Sequence, residues 1–130
     1  SASAVQIAGE IQGFDEHAWV KIKDRQHVSR ATPLAVAATA EAIADAGLDP
    51  AALTRDELRE IGVIVGSGGA SWEFTEEQYR LYYAGRAKDC SVYVVPTSTP
   101  GTLASEVSMR FGFRGYSHLI STGCTSSTDA

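Results

Sequence analysis

Residues 61–65, IGVIV, form a continuous apolar run that stops at Gly66. A run this short, bounded by a glycine, predicts a strand covered on both faces, the setting of parallel strands in α/β sheets. Candidate covering elements flank it. Thr32 can cap a helix, Pro33 fits its first turn and Gly47 closes it. Seven alanines from Pro33 to Ala46 let that helix press closely against a sheet or another helix, so it is expected to be buried. Residues 72–85 read as a second helix, wetter and more aromatic. Thr99, Pro100 and Gly112 frame a third, with an apolar stripe of Leu103, Val107 and Phe111 and with Ala104 and Met109 near its edges. Residues 4–11 read as a short strand or extended arm, 92–95 as another strand or extended piece, and 116–121 as a final strand. Strands alternating with helices predict a mostly parallel sheet with helices on both sides.

The final strand runs into HLISTGCTSST, residues 118–128. A sharp turn from strand to helix needs a residue tolerant of unusual backbone angles, and Gly123 supplies it. Cys124 is then expected at the first turn of a helix built from Thr125, Ser126, Ser127 and Asp129, all compatible with a helix start. Unpaired N–H groups and the positive end of the dipole favour a thiolate there and can stabilise a developing oxyanion. The expected geometry resembles the strand-nucleophile-helix elbow of serine hydrolases, although G-x-S-x-G itself is absent. Taken alone, a cysteine near a strand end is most often a small buried hydrophobe. Cys90 has no comparable setting, and the buried-thiol reading is preferred for it.

Composition limits the alternatives. At 130 residues, with 44% apolar and 8% aromatic residues, the chain is about one globular domain long. No stretch approaches the ~20 apolar residues of a membrane span, and no basic region precedes an apolar one as in a secretory signal. The two cysteines lack accompanying histidine spacing, so neither a zinc site nor a disulfide framework is indicated, and free thiols suit a reducing cytoplasm. A net charge of -5 argues against a general nucleic-acid binder. GSGGASW matches only the start of G-x-G-x-x-G: Ser71 takes the third glycine position, and no Lys-Ser/Thr pair makes a phosphate loop.

STGCTSSTDA resembles the active-site signature of β-ketoacyl synthases, most closely that of the ketosynthase subunit of type II polyketide systems. IAGEIQGFD with AVAATAEAIADAGLDP, and IGVIVGSGG followed by RFGFRG, line up in the same order, so the resemblance covers nearly the whole chain. It implies a thiolase-like layered α-β-α-β-α fold, of which residues 1–130 are part of the N-terminal half. The first core strand and everything after the nucleophile elbow are expected to lie outside them. It also implies Cys124 as catalytic nucleophile, accepting an acyl group from the phosphopantetheine of acyl carrier protein, with its backbone N–H as half of an oxyanion hole. Decarboxylative condensation with a malonyl-carrier protein would follow. No bound cofactor, metal, nucleic-acid or membrane partner is implied. The family's two decarboxylating histidines follow the nucleophile, whereas His17, His27 and His118 all precede Cys124, so these residues alone are not expected to catalyse condensation.

The resemblance leaves several readings open. One is a polyketide-type subunit paired with a chain-length-factor partner in aromatic or polyene assembly. Another is a homodimeric fatty-acid-synthesis ketosynthase, and a third is a non-catalytic partner of the same fold. Ser-Thr-Gly before the cysteine favours the polyketide type, and the thiol itself speaks against the non-catalytic partner. Lys21, Lys23, Arg25 and Arg30 form a local basic patch, read either as solvated surface or, by resemblance, as the docking site of the acidic carrier protein. Trp72, Phe74 and Thr75, with Val94, Val95 and Pro96, are candidate acyl-channel residues, with ordinary core packing as the competing reading.

Overall fold

The computed structural model describes residues 4–25, 27–69 and 71–130. Its helices are α1 (Ala31–Asp45), α2 (Arg55–Glu60), α3 (Trp72–Tyr83), α4 (Val94–Ser98), α5 (Thr102–Phe111) and α6 (Ser126–Asp129). Two strands, β1 (Val63–Gly66) and β2 (Ser117–Ile120), pair in parallel, with Val63 opposite Ser117 and Gly66 opposite Ile120. The ladder is carried past both ends of β1: Val63 N–H donates to Tyr116 O at 2.6 Å and Ser67 N–H to Ile120 O at 3.0 Å.

Side chains alternate along a strand, so Val63 and Val65 share one face and Ile64 and Gly66 the other. Val63 belongs to a core with Val36, Ala104, Val107 and Phe113, against which Val65, Ile61, Leu58 and Phe111 also pack. Helix α5 supplies the centre of that core, because Leu103, Ala104 and Val107 recur on one face and are all buried. Helix α1 lies across α5 and contributes Val36. Burying an aliphatic side chain of this size contributes about 1.5–3 kcal/mol. The core therefore anchors β1, and the parallel ladder to β1 places β2 and the turn that follows it.

Several expectations are corrected. The run 61–65 is not covered on both faces: Ile64 is 53% exposed, and α6 reaches the face it shares with Gly66 at the strand's end. Arg30 rather than Thr32 takes the N-cap position of α1, with no side-chain cap hydrogen bond; Thr32 lies buried within the first turn, and beyond Val36 no residue of this alanine-rich helix is fully buried. Residues 92–95 form no strand. Val94 opens α4, whose first turn accommodates Pro96 because its missing N–H has no intrahelical partner there. Residues 4–11 join neither strand nor helix, and Val5, Ile7 and Ile11 are exposed. Met109, placed near the edge of the α5 stripe, faces outward. The glycine stops hold. Gly47, Gly85 and Gly112 follow α1, α3 and α5 with φ of 64°, 75° and 76°, a region that favours glycine.

Helix α2 is held by local chemistry. Thr54 N–H donates to Glu57 Oε2 at 2.8 Å, and Glu57 N–H donates to Thr54 Oγ1 at 3.3 Å, a reciprocal capping box. The hydrogen bond from the Thr54 backbone, then that from its hydroxyl, holds the Glu57 carboxyl below its ordinary value. A carboxyl lowered on folding contributes stability above the ordinary carboxylate range and loses it as pH falls. Thr54→Ala, in the protein that carries this chain, is expected to lose about 1 kcal/mol at neutral pH. Thermal melts should show the gap from wild type narrowing in acid, where protonated Glu57 no longer favours the Thr54 hydroxyl.

Candidate active site

The turn that presents Cys124 is built from backbone outward. Strand β2 ends at Ile120, and Gly123 takes φ of 70°, which redirects the chain. Cys124 lies in a 3-10 turn, Gly123–Thr125, immediately ahead of α6, rather than in the first turn of an α-helix as expected. The tighter turn fits the hydroxyl contacts around it. Ser126, 2% exposed, donates from Oγ to Gly123 O at 2.6 Å and accepts from Thr122 N–H at 3.0 Å. Thr122 Oγ1 donates to the Asp129 carboxylate, and Thr125 Oγ1 lies 3.1 Å from Thr122 O. The small polar residues around the cysteine thus close a hydrogen-bonded ring across the turn. Cys124 itself is exposed.

Gly66 fixes the turn against the sheet. A Cβ on Gly66 would lie 2.6 Å from Ser127 Cα and closer still to the Ser126 carbonyl, so β1 and the start of α6 approach as only glycine allows. The next loop continues the association: Gly68 stands against Gly123 O, 3.3 Å from where a Cβ would sit, and Gly69 faces the Trp72 ring at 3.1 Å. GSGG is therefore a close-packing segment between the cysteine turn and the head of α3. The sequence excludes a phosphate site in this segment, and its link to Cys124 is a finding of the fold. Its glycine spacing was the signal available.

The other candidate residues divide into groups. Trp72, 76% exposed, stands against Gly69, the residue after the one that approaches the cysteine turn. Thr75 is engaged structurally: its Oγ1 donates to Ser71 O at 2.9 Å and lies 2.8 Å from Ser98 Oγ, tying α3 to the end of α4. Val94 is half-buried and Val95 faces outward. Phe74 lines a cavity of about 250 Å³ together with Arg25, Arg30, His17 and Glu73. Pro96 lines a second, of about 320 Å³, together with Lys21. Cys124 lines neither of these cavities. The structure therefore brings Arg25 and Arg30 together with Phe74, and Lys21 with Pro96, while Lys23 and Cys124 line neither cavity.

Lys21, Lys23, Arg25 and Arg30 are all exposed around the 3-10 turn Ile22–Asp24. Arg25 Nη2 donates to His17 O at 3.1 Å, and Arg30 Nε lies 3.9 Å from Glu16 Oε2, an exposed pair of little energetic weight. The Arg30 backbone N–H donates to Glu73 Oε1 at 2.7 Å, joining this segment to α3. Cys90 differs from Cys124: it is half-buried, with Sγ 3.5 Å from Gln78 O. Among the described residues, no group of three His, Cys, Asp or Glu side chains could hold a metal ion, and no helix is long and apolar enough to cross a membrane.

The profile of the β-ketoacyl synthase N-terminal domain matches residues 2–130, and the chain belongs to that family. It is 36% identical over 124 residues to nodulation protein E of Rhizobium sp. (strain N33), across 95% of this chain and 30% of the relative. It is 28% identical over 122 residues to 3-oxoacyl-[acyl-carrier-protein] synthase 2 of Vibrio cholerae serotype O1, across 94% of this chain and 29% of the relative. The chain therefore spans about 30% of the length of these relatives. Its fold matches a type II polyketide ketosynthase solved in complex with its acyl-carrier protein, with a TM-score of 0.79 at 20% identity, over 92% of this chain and 34% of that one. The thiolase-like α/β architecture expected from the resemblance is thereby established.

Gly66→Ala, in the protein that carries this chain, is expected to destabilise by about 1–3 kcal/mol, the range of overpacking, because the obstructing atoms are backbone and cannot rotate away. Gly9→Ala is the control, since a Cβ there meets nothing within 4 Å. Melting curves of the two variants check the contrast.

Proposed function

We propose that the protein carrying this chain is a β-ketoacyl-[acyl-carrier-protein] synthase with Cys124 as its nucleophile. The observation that carries this reading is the exposed thiol at a strand-to-helix turn, held by Ser126 and by the close approach at Gly66. The Cys124 sulfur attacks the acyl thioester carbonyl of a loaded carrier, forming a new sulfur–carbon bond. The carrier's phosphopantetheine thiol leaves with the proton that Cys124 gives up. A malonyl-carrier then loses carbon dioxide, and its enolate attacks the Cys124 thioester. A carbon–carbon bond forms as the Cys124 thiolate is expelled. Backbone N–H groups in the turn, that of Cys124 among them, are suited to receive charge on the carbonyl oxygen in both steps.

Within this class we favour a type II polyketide subunit working with a chain-length-factor partner. The Ser-Thr-Gly lead-in to the cysteine supports that reading, and so does the likeness to a polyketide ketosynthase fold. The second reading is a homodimeric ketosynthase of fatty-acid synthesis, supported by the similarity to a 3-oxoacyl-[acyl-carrier-protein] synthase 2. In both, acyl groups arrive on phosphopantetheine, and the basic segment 21–30 meets the acidic carrier. The exposure of Lys21, Lys23, Arg25 and Arg30 on one segment of an otherwise acidic chain supports that docking role.

Two experiments on the full protein test the proposal. Cys124→Ala should abolish condensation of acyl- and malonyl-carrier substrates while Cys90→Ala retains it; turnover that survives Cys124→Ala removes the nucleophile assignment. Lys23→Glu with Arg25→Glu should raise the carrier KM about tenfold at low salt, with the difference shrinking as salt screens the charges. An unchanged KM at low salt discards docking at this segment.

A further inference from the structure

Ser126 is not the only tie across the cysteine turn. Thr122 is held twice: its N–H donates to Ser126 Oγ at 3.0 Å, and its hydroxyl donates to the Asp129 carboxylate. Thr125 brings a second hydroxyl to the same place, with Oγ1 3.3 Å from Asp129 Oδ2 and 3.1 Å from Thr122 Oγ1. The donors run one way, from Thr125 to Thr122 to Asp129. The Thr122 proton is committed to the carboxylate, which leaves its oxygen to accept from Thr125. Hydrogen bonds in such a chain polarise one another, and the one that ends on the carboxylate is charge-assisted.

These three side chains are exposed, so the chain of hydroxyls contributes little to global stability. What it does contribute is local placement. Thr122 stands two residues before Cys124 and Thr125 directly after it, so a single carboxylate holds the backbone on both sides of the thiol. Asp129 is itself placed by α6, whose turn is closed where Ala130 N–H donates to Ser126 O at 3.1 Å. Positions 122, 125 and 129 fall on one row at helical spacing, and Cys124 lies off that row. The turn is thus held from behind while the thiol stays exposed.

We propose that Asp129 is a positioning residue for acyl transfer. Through Thr122 and Thr125 it fixes the Cys124 N–H and sulfur relative to each other, so that the sulfur attacks the same carbonyl whose oxygen the N–H receives. The inference deepens the reading of Cys124 as nucleophile and rests on it. It divides two reactions of one thiol. Acyl transfer needs the sulfur and the N–H together, because charge develops on the carbonyl oxygen. Alkylation by iodoacetamide needs the sulfur alone, because displacement of iodide builds no oxyanion.

The test uses the full protein. Single-turnover acylation of the Cys124 peptide by an acyl-carrier thioester is compared with alkylation of the same peptide by iodoacetamide. Asp129→Ala and Thr122→Val, the latter nearly the shape of threonine but without its hydroxyl, should each slow acylation about tenfold, short of the roughly 10²–10³ lost with a whole oxyanion donor, and leave alkylation within about twofold of wild type. The double variant should be no slower than either single one, since both break the same chain. Thr122→Ser, which keeps the hydroxyl, should recover most of the rate. Acylation at the wild-type rate in Asp129→Ala overturns the proposal. So does a parallel fall of acylation and alkylation in both single variants, which marks a merely structural role. Wild-type protein that takes no acyl group on the Cys124 peptide removes the nucleophile reading and this inference with it, whereas normal wild-type acylation with unaffected variants removes the positioning role alone.

Discussion

The whole site depends on one close approach, the end of β1 against the start of α6 at Gly66. A strand that ended in any residue with a Cβ would hold α6 away from the sheet, because the atoms in its path belong to the Ser126 and Ser127 backbone. With glycine, the turn 123–125 is pinned from below by the sheet and from within by Ser126, whose hydroxyl both donates and accepts across it. Preorganisation of this kind suits a nucleophile, since the turn's N–H groups need not reorganise when charge develops on a substrate oxygen. The core of α5, α1 and Val63 sits on the opposite face of the strand. Stability and presentation of the thiol are thus assigned to the two faces of one short sheet.

A second division separates the cysteine turn from the basic segment. The loop 66–69 meets the cysteine turn at Gly123 and the head of α3 at Trp72, whereas Arg25 and Arg30 share a cavity with Phe74 and Lys21 shares one with Pro96. What connects the two regions is helix α3. Its first residue, Trp72, touches the loop beside the cysteine turn, and Glu73 next to it accepts the Arg30 N–H from the basic segment.

Much of this was legible in the sequence, for physical reasons that also mark where legibility stopped. Gly47, Gly85, Gly112 and Gly123 were readable because each adopts a positive φ that other residues rarely take. The α5 stripe was readable because its core is internal to the chain. Residues 92–95 were misread because a β-branched run suggests a strand, while Pro96 two positions after Val94 fits a helix's first turn equally well. Helix α2 was missed because it is short and charged with no apolar stripe, although Thr54 and Glu57 carried the capping-box spacing. Apolarity at 61–65 revealed a strand but not which of its faces this chain covers, so Ile64 was placed in a core that no described element supplies. For the site, Gly123 and Cys124 were readable from the turn they require. The role of Ser126 was not, since its partners are backbone groups brought together only by the fold.

The central claim is that this turn presents Cys124, and not Cys90, to an acyl thioester. The most direct measurement is peptide mass mapping of the full protein after incubation with an acyl-carrier thioester and before any malonyl donor is added. The acyl mass is predicted on the peptide containing Cys124. Its appearance on the Cys90 peptide instead, or on neither, would contradict the account.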